Sequence, residues 1–277
     1  MLTFDRHGRA GAPPVLLLHG WPGDRHDQDA VAARLADDHD VLVPDLRGFG
    51  ESHAAADELP AAVGLDAQVR ELVSLLEAEG LRDVVVGGYD VGSRVAQALA
   101  AARPDLVRAL VLAPPFSGAG RRVLDPERVG EFWYQSFHQL ELAEELVDGD
   151  VAAARAYLKH FWSHWSGPAF TPADALLDRL AAVYGAPGAF TASISWYRAG
   201  AGTLSRALAE QEPRERLAIP LHALWPRHDP LFPLEWSDAL DRWFSDVTLT
   251  PVDCGHFLPV EAPAVLADAI RGVTAGR

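Results

Sequence analysis

A single cysteine, Cys254, is all the thiol this 277-residue chain carries, so no internal disulfide can form. No Cys/His spacing resembles a structural zinc site, and no metal is expected. No Lys/Arg-rich run accompanies the formal net charge of −15, which argues against nucleic-acid partners and anionic membrane surfaces. A small neutral or weakly charged partner is expected instead, although whole-surface charge says little about one pocket. No apolar run reaches membrane-spanning length, so no membrane partner is expected. The opening Met-Leu-Thr-Phe-Asp-Arg-His-Gly lacks the apolar core of a signal peptide. A soluble cytoplasmic protein, monomer or homodimer, is the expectation.

What is present is a chain about half apolar, long enough to bury one large core and carry an insertion. Short apolar runs recur at Val15–Leu18, Asp40–Pro44, Val84–Gly88, Ala109–Ala113, Leu221–Trp225 and Val247–Val252. Runs this apolar suit strands covered on both faces, hence a parallel sheet. Between them lie segments with helical spacing, such as Leu65–Glu79 and Ser93–Ala102. The alternation predicts a doubly wound, mostly parallel α/β fold. From Phe116 to about Leu208 the β-rich runs stop and aromatics concentrate, which predicts an all-helical cap. The expected division is a core of 1–115 and 209–277 with a cap of 116–208.

In open α/β sheets, reactive groups collect at the carboxyl ends of strands. Gly88-Tyr89-Asp90-Val91-Gly92 follows one such strand with the spacing of a nucleophile elbow, whose sharp turn leaves no room for flanking side chains. The pentapeptide alone fits equally a turn whose Asp90 caps the next helix. His19-Gly20-Trp21-Pro22 follows another strand and can aim the Trp21 N–H at the same centre. The Val91 N–H would complete an oxyanion hole, and a cis Trp21–Pro22 peptide would hold the loop. Asp229 and His256 each lie just past a late strand. A histidine needs a carboxylate to fix its tautomer, and the order nucleophile, acid, His is the hydrolase order. His228 and Asp253 are adjacent decoys.

With these motifs, including Asp45-Leu-Arg-Gly-Phe-Gly-Glu-Ser52, nearly the whole chain resembles the epoxide hydrolase family of the α/β-hydrolases. The resemblance implies two cap tyrosines that grip the epoxide oxygen. Phe132-Trp-Tyr-Gln135 points to Tyr134, and Ser195-Trp-Tyr-Arg198 points to Tyr197. It further implies attack by Asp90 on an epoxide carbon, and hydrolysis of the resulting ester by water that His256 activates, with Asp229 orienting His256. No cofactor is implied. Trp133, His138, Trp162 and Trp165 are expected to line or back the pocket; Phe161 and His164 share that expectation. Relatives of this kind commonly begin with an extra strand before the segment matching Leu2–Arg9, which leaves two readings open: an edge strand is missing, or the start is internal to the natural gene. Haloalkane or haloacid dehalogenases use the same Asp-His-Asp set, but Val91 stands where they place Trp or Arg. That reading stays open as an alternative, as does a ligand-binding homologue without catalysis.

Overall fold

The computed structural model describes residues 2–275. Seven strands form one sheet: β1 Phe4–Gly8, β2 Pro14–Leu18, β3 Asp40–Pro44, β4 Val84–Gly88, β5 Val107–Leu112, β6 Leu221–Pro226 and β7 Val247–Val252. Their spatial order is β1-β3-β2-β4-β5-β6-β7, with only β1 antiparallel to its neighbour. The apolar runs explain the interior: β3 and β4 are buried at every residue, as strands covered on both faces must be. β1 was not anticipated. Its Phe-Asp-Arg-His-Gly pattern is polar and half-exposed, as an edge position tolerates.

Helices α1 Asp29–Leu35, α2 Leu65–Ala78, α3 Asp90–Ala102 and α12 Pro263–Ala275 flank this sheet. α1 packs with α12 and α2 with α3, while α3 and α12 both cover β4 and β5, giving three layers. Between β5 and β6 the chain forms the helical cap region, with α4 Trp133–Phe137, α5 Glu141–Val147, α6 Val151–Trp165, α7 Asp174–Tyr184, α8 Ala189–Arg198 and α9 Thr203–Ala207. Among the described residues it contains no strand. Short helices α10 Leu240–Trp243 and α11 Leu258–Glu261 complete the set.

The strand order decides where a site can form. Strand β2 sits between β3 and β4, so the chain leaves it first to one side and later to the other. Such a reversal opens a crevice beyond the strand ends. Leu18 at the end of β2 pairs with Gly88 at the end of β4, so the loops after them emerge side by side.

Candidate active site

Tyr89 ends the strand in extended conformation, and Asp90 turns sharply into α3 with φ +48°. An L-residue holds that left-handed value only when its surroundings impose it. The two glycines make the turn possible. A Cβ on Gly92 would lie 2.6 Å from the carbonyl oxygens of Leu18 and His19, and one on Gly88 would lie 3.2 Å from the Gly92 carbonyl carbon. Gly92→Ala is therefore expected to destabilise the fold by about 1–3 kcal/mol, as overpacking does, with urea denaturation as the measurement.

The Asp90 side chain does not cap its own helix. Its Oδ1 accepts the Trp21 N–H across the crevice at 2.8 Å. Trp21 is held there by the His19–Pro22 loop, whose Trp21–Pro22 peptide is cis. Val91 is the second residue of α3, where helical N–H groups lack partners within the helix.

Asp90 Oδ2 lies 3.5 Å from Nε2 of His256. His256 Nδ1 sits 2.8 Å from Asp229 Oδ2, and Asp229 Oδ1 accepts the Leu231 N–H at 2.8 Å. Each carboxylate oxygen of Asp229 thus has a partner, which fixes the acid and through it the imidazole. The backbone N–H of His256 donates to the Trp165 carbonyl of the cap at 2.8 Å. Burial disfavours the imidazolium, but the carboxylates of Asp229 and Asp90 outweigh it and raise the His256 pKa to about 10.

Tyr134 on α4 and Tyr197 on α8 are both buried, with ring centroids 5.6 Å apart at 90°. Both line a cavity with Asp90, Val91, Arg94 and Trp196. Burial, with the Asp90 charge adding to it, holds the Tyr134 phenol well above its usual pKa; hydrogen bonds from Gln135 and Tyr197 oppose the shift. Burial likewise raises Tyr197, with Tyr134 and Asp90 contributing. Both remain neutral donors at any ordinary pH. The cavity measures about 10 Å³, room for roughly one water.

The expected pocket residues divide. Trp165 packs its ring against both Tyr134 and His256 and so backs the site. His138 lies behind it, packed on Trp21 and Tyr197 and bonded to the Tyr157 hydroxyl at 2.9 Å. Trp162 fastens cap to core instead of lining the cavity: its indole N–H donates to the Pro22 carbonyl, and its ring stacks on Phe257 at 3.7 Å. Trp133 is 44% exposed and does not reach the cavity. Successive helical residues point about 100° apart, so with Tyr134 and Gln135 turned inward Trp133 is left facing outward. Phe161 packs on Trp21 and Trp165 within the cap, whereas His164 pairs with Glu131 near the surface. The decoys His228 and Asp253 bond each other at 2.7 Å on the exposed side.

Two residues escaped the sequence reading. Gln135 donates to the Tyr134 hydroxyl at 3.0 Å and accepts the Leu204 N–H, setting the phenol's orientation. Arg94 lines the cavity, and its spacing of four from Asp90 on one helix was the available signal.

Comparison with known proteins agrees with this architecture. The family described as "alpha/beta hydrolase fold" matches residues 13–263. A soluble epoxide hydrolase of Corynebacterium sp. (strain C12) is 29% identical over 265 residues, covering 92% of this chain and 87% of that protein. A haloalkane dehalogenase of Bradyrhizobium diazoefficiens is 30% identical over 180 residues, covering 65% of this chain and 52% of its own length. Among solved structures, the α/β hydrolase ALR0039 of Nostoc sp. PCC 7120 superposes with a TM-score of 0.87 at 25% identity, covering all of this chain and 94% of that one.

Proposed function

The chain belongs to the α/β-hydrolase fold family, and from that premise we propose that it is an epoxide hydrolase working through a covalent Asp90 ester. One observation carries the proposal: two buried, neutral phenols, Tyr134 and Tyr197, share a cavity with a carboxylate that is backed by an Asp229–His256 pair. The extended match to a soluble epoxide hydrolase supports it. The core of 1–115 and 209–277 and the cap of 116–208 are the units in which we propose it operates.

The division of labour follows from the bonds. Asp90 Oδ1 already occupies the Trp21 donor, so Oδ2 is the oxygen left to attack an epoxide carbon. As the C–O bond breaks, the departing alkoxide takes a proton from a phenol, which leaves a tyrosinate. Alkoxides leave poorly without such a donor, and a neutral phenol is one. The product is an ester whose carbonyl oxygen is Oδ1.

Esterification removes the Asp90 charge, and with it one of the influences that hold His256 protonated. His256 then passes its proton to the tyrosinate, restoring the phenol, and becomes a base only once there is an ester to cleave. It then takes a proton from water, and the hydroxide adds to the Asp90 carbonyl. The oxyanion forms on Oδ1, beside the Trp21 N–H and, in this proposal, the Val91 N–H. Collapse expels the diol, whose leaving oxygen takes the proton of the added hydroxyl, and restores the carboxylate beside the protonated His256. The sum is epoxide plus water to vicinal diol.

A carboxylate nucleophile suits alkyl carbon, because its ester can be hydrolysed. With a carbonyl substrate it would form a labile anhydride. A dehalogenase would use the same relay but needs donors for a halide. Trp133 faces outward and the Trp162 indole N–H is already bonded, so two side chains that could serve are withdrawn.

A single turnover in ¹⁸O-water tests the nucleophile. The first diol is expected to carry only unlabelled oxygen, one atom from the epoxide and one from Asp90, while the label appears in the enzyme. Label in the first diol would mean that water attacks the epoxide directly, and the proposal would fail.

A further inference from the structure

The cavity that holds Asp90 and the phenols contains a cation for which the proposed chemistry has no use. Arg94 lies one turn beyond Asp90 on α3, so both side chains leave the same helix face. It is only 7% exposed, and its Nε has no hydrogen-bond partner among the described residues. Its one ion pair among the described residues, from Nη1 to Glu210, is long at 3.4 Å. Glu210 is meanwhile engaged elsewhere, accepting the backbone N–H groups of Gly118 and Gly120. Arg206 stands close enough to oppose Arg94 electrostatically, and its own Nε is also buried without a partner. Two guanidinium groups thus lie within electrostatic reach of each other, and Glu210 pairs with Arg94 alone among the described residues. Burying such charge is costly unless something pairs with it.

Arg94 faces two spaces. On one side is the catalytic cavity; on the other is a cleft of about 500 Å³. Apolar residues such as Leu217, Ile219 and Phe244 wall that cleft, and Arg206 and Arg216 also line it. Glu215 lines the cleft too, so three arginines face one carboxylate there, an excess of positive charge in a chain of net charge −15, and Arg94 alone of the three also lines the catalytic cavity. Such an excess attracts an anion that the rest of the surface repels.

We propose that Arg94, supported by Arg206, binds a carboxylate of the substrate, and that the preferred epoxides are 2,3-epoxy acids. This rests on the epoxide-opening reading above and adds the substrate class to it. Residues four apart on a helix have Cβ atoms about 5–6 Å apart. A guanidinium one turn from the nucleophile therefore suits a carboxylate attached directly to the oxirane. The planar fork of Arg pairs with carboxylates through two N–H groups, and Arg94 has donors to spare.

Oxirane-2-carboxylate and its neutral amide provide the test. In the wild type, kcat/KM for the acid is expected to exceed that for the amide by about tenfold or more, the worth of hydrogen bonds to a charged group. In Arg94→Gln that ratio is expected to fall to about one. An Arg94 that merely braces the Gly118–Gly120 loop through Glu210 would slow both compounds alike and leave the ratio unchanged, which would overturn the proposal. Calorimetric titration of the wild-type enzyme with propanoate and propanamide keeps the test alive should Arg94→Gln not fold. Propanoate is expected to bind about tenfold or more tightly than the amide; equal binding, or none, would refute the anion site. Turnover of epoxides without acid preference would remove this inference and leave the reaction standing. Propanoate binding with no epoxide turned over would do the opposite.

Discussion

His256→Ala, mixed with an epoxide and examined by intact-protein mass spectrometry, is expected to carry an added mass equal to the whole epoxide. Ring opening by Asp90 is an addition that loses no atom, so the ester retains everything the substrate brought. Removing the imidazole leaves Asp90 Oδ2 and the Trp21 donor in place, because one sits at the start of α3 and the other in the loop after β2. The ester then waits for a base that is gone. Steady-state turnover should fall by about 10²–10⁴-fold, the usual contribution of a positioned general base. Asp90→Ala is the necessary partner experiment and should show neither turnover nor adduct. An unmodified mass in the His256 variant, with wild-type protein active, would mean that no ester forms.

Replacing both phenols should be as severe at the opposite end of the reaction. In Tyr134→Phe with Tyr197→Phe, the rate of ester formation is expected to drop by about 10²–10⁴-fold while the protein stays folded. Either single variant should lose less, since the rings adjoin and the surviving hydroxyl can still meet the departing oxygen. The substitutions keep the aromatic packing of Tyr134 on Trp21 and Trp165. They leave one group unserved: Gln135 loses the hydroxyl it donates to, a cost of about 1 kcal/mol that thermal melts should register. Stopped-flow fluorescence of the ester-forming step measures the loss. A double variant near the wild-type rate would remove the tyrosines from the mechanism.

Much of this architecture was legible in the amino-acid sequence because buried strands announce themselves by unbroken apolar runs. The six interior and late strands fall where those runs predict, and the late start expected for the helix after Asp90 differs from the observed one for a local reason. The elbow compresses strand, nucleophile and first helical turn into adjacent residues, so α3 begins at Asp90 itself. β1 was illegible because an edge strand needs no apolar face, and Asp5, Arg6 and His7 look like loop.

In the site, Asp90, Asp229 and His256 could be picked out because each follows a strand, and strand ends converge in this topology. The structure brings the three together. Side chains carried by the cap were harder to place. The spacing of a helix alone does not tell which of two adjacent aromatics faces the core, and Trp133 and Tyr134 were both expected inward. Trp162 was expected to line or back the pocket; its indole N–H bonds a loop carbonyl 140 residues away, a contact that leaves no trace in local pattern. Arg94 was overlooked because an arginine inside a helix ordinarily reaches solvent.

Trp21 serves two masters. Its backbone N–H bonds the Asp90 carboxylate, yet its indole is stacked on Tyr134 and edged by Phe161 and Tyr197. The next two residues are gripped by Trp162 and Tyr184 from above. With space for scarcely one water inside, a substrate of the proposed kind would need part of that aromatic packing to move, and the same packing holds the loop whose Trp21 N–H bonds Asp90. Admission and reactivity would then alternate, so that an unshut molecule is an idle one and the ester, once made, is met by a single chosen water and not by bulk solvent.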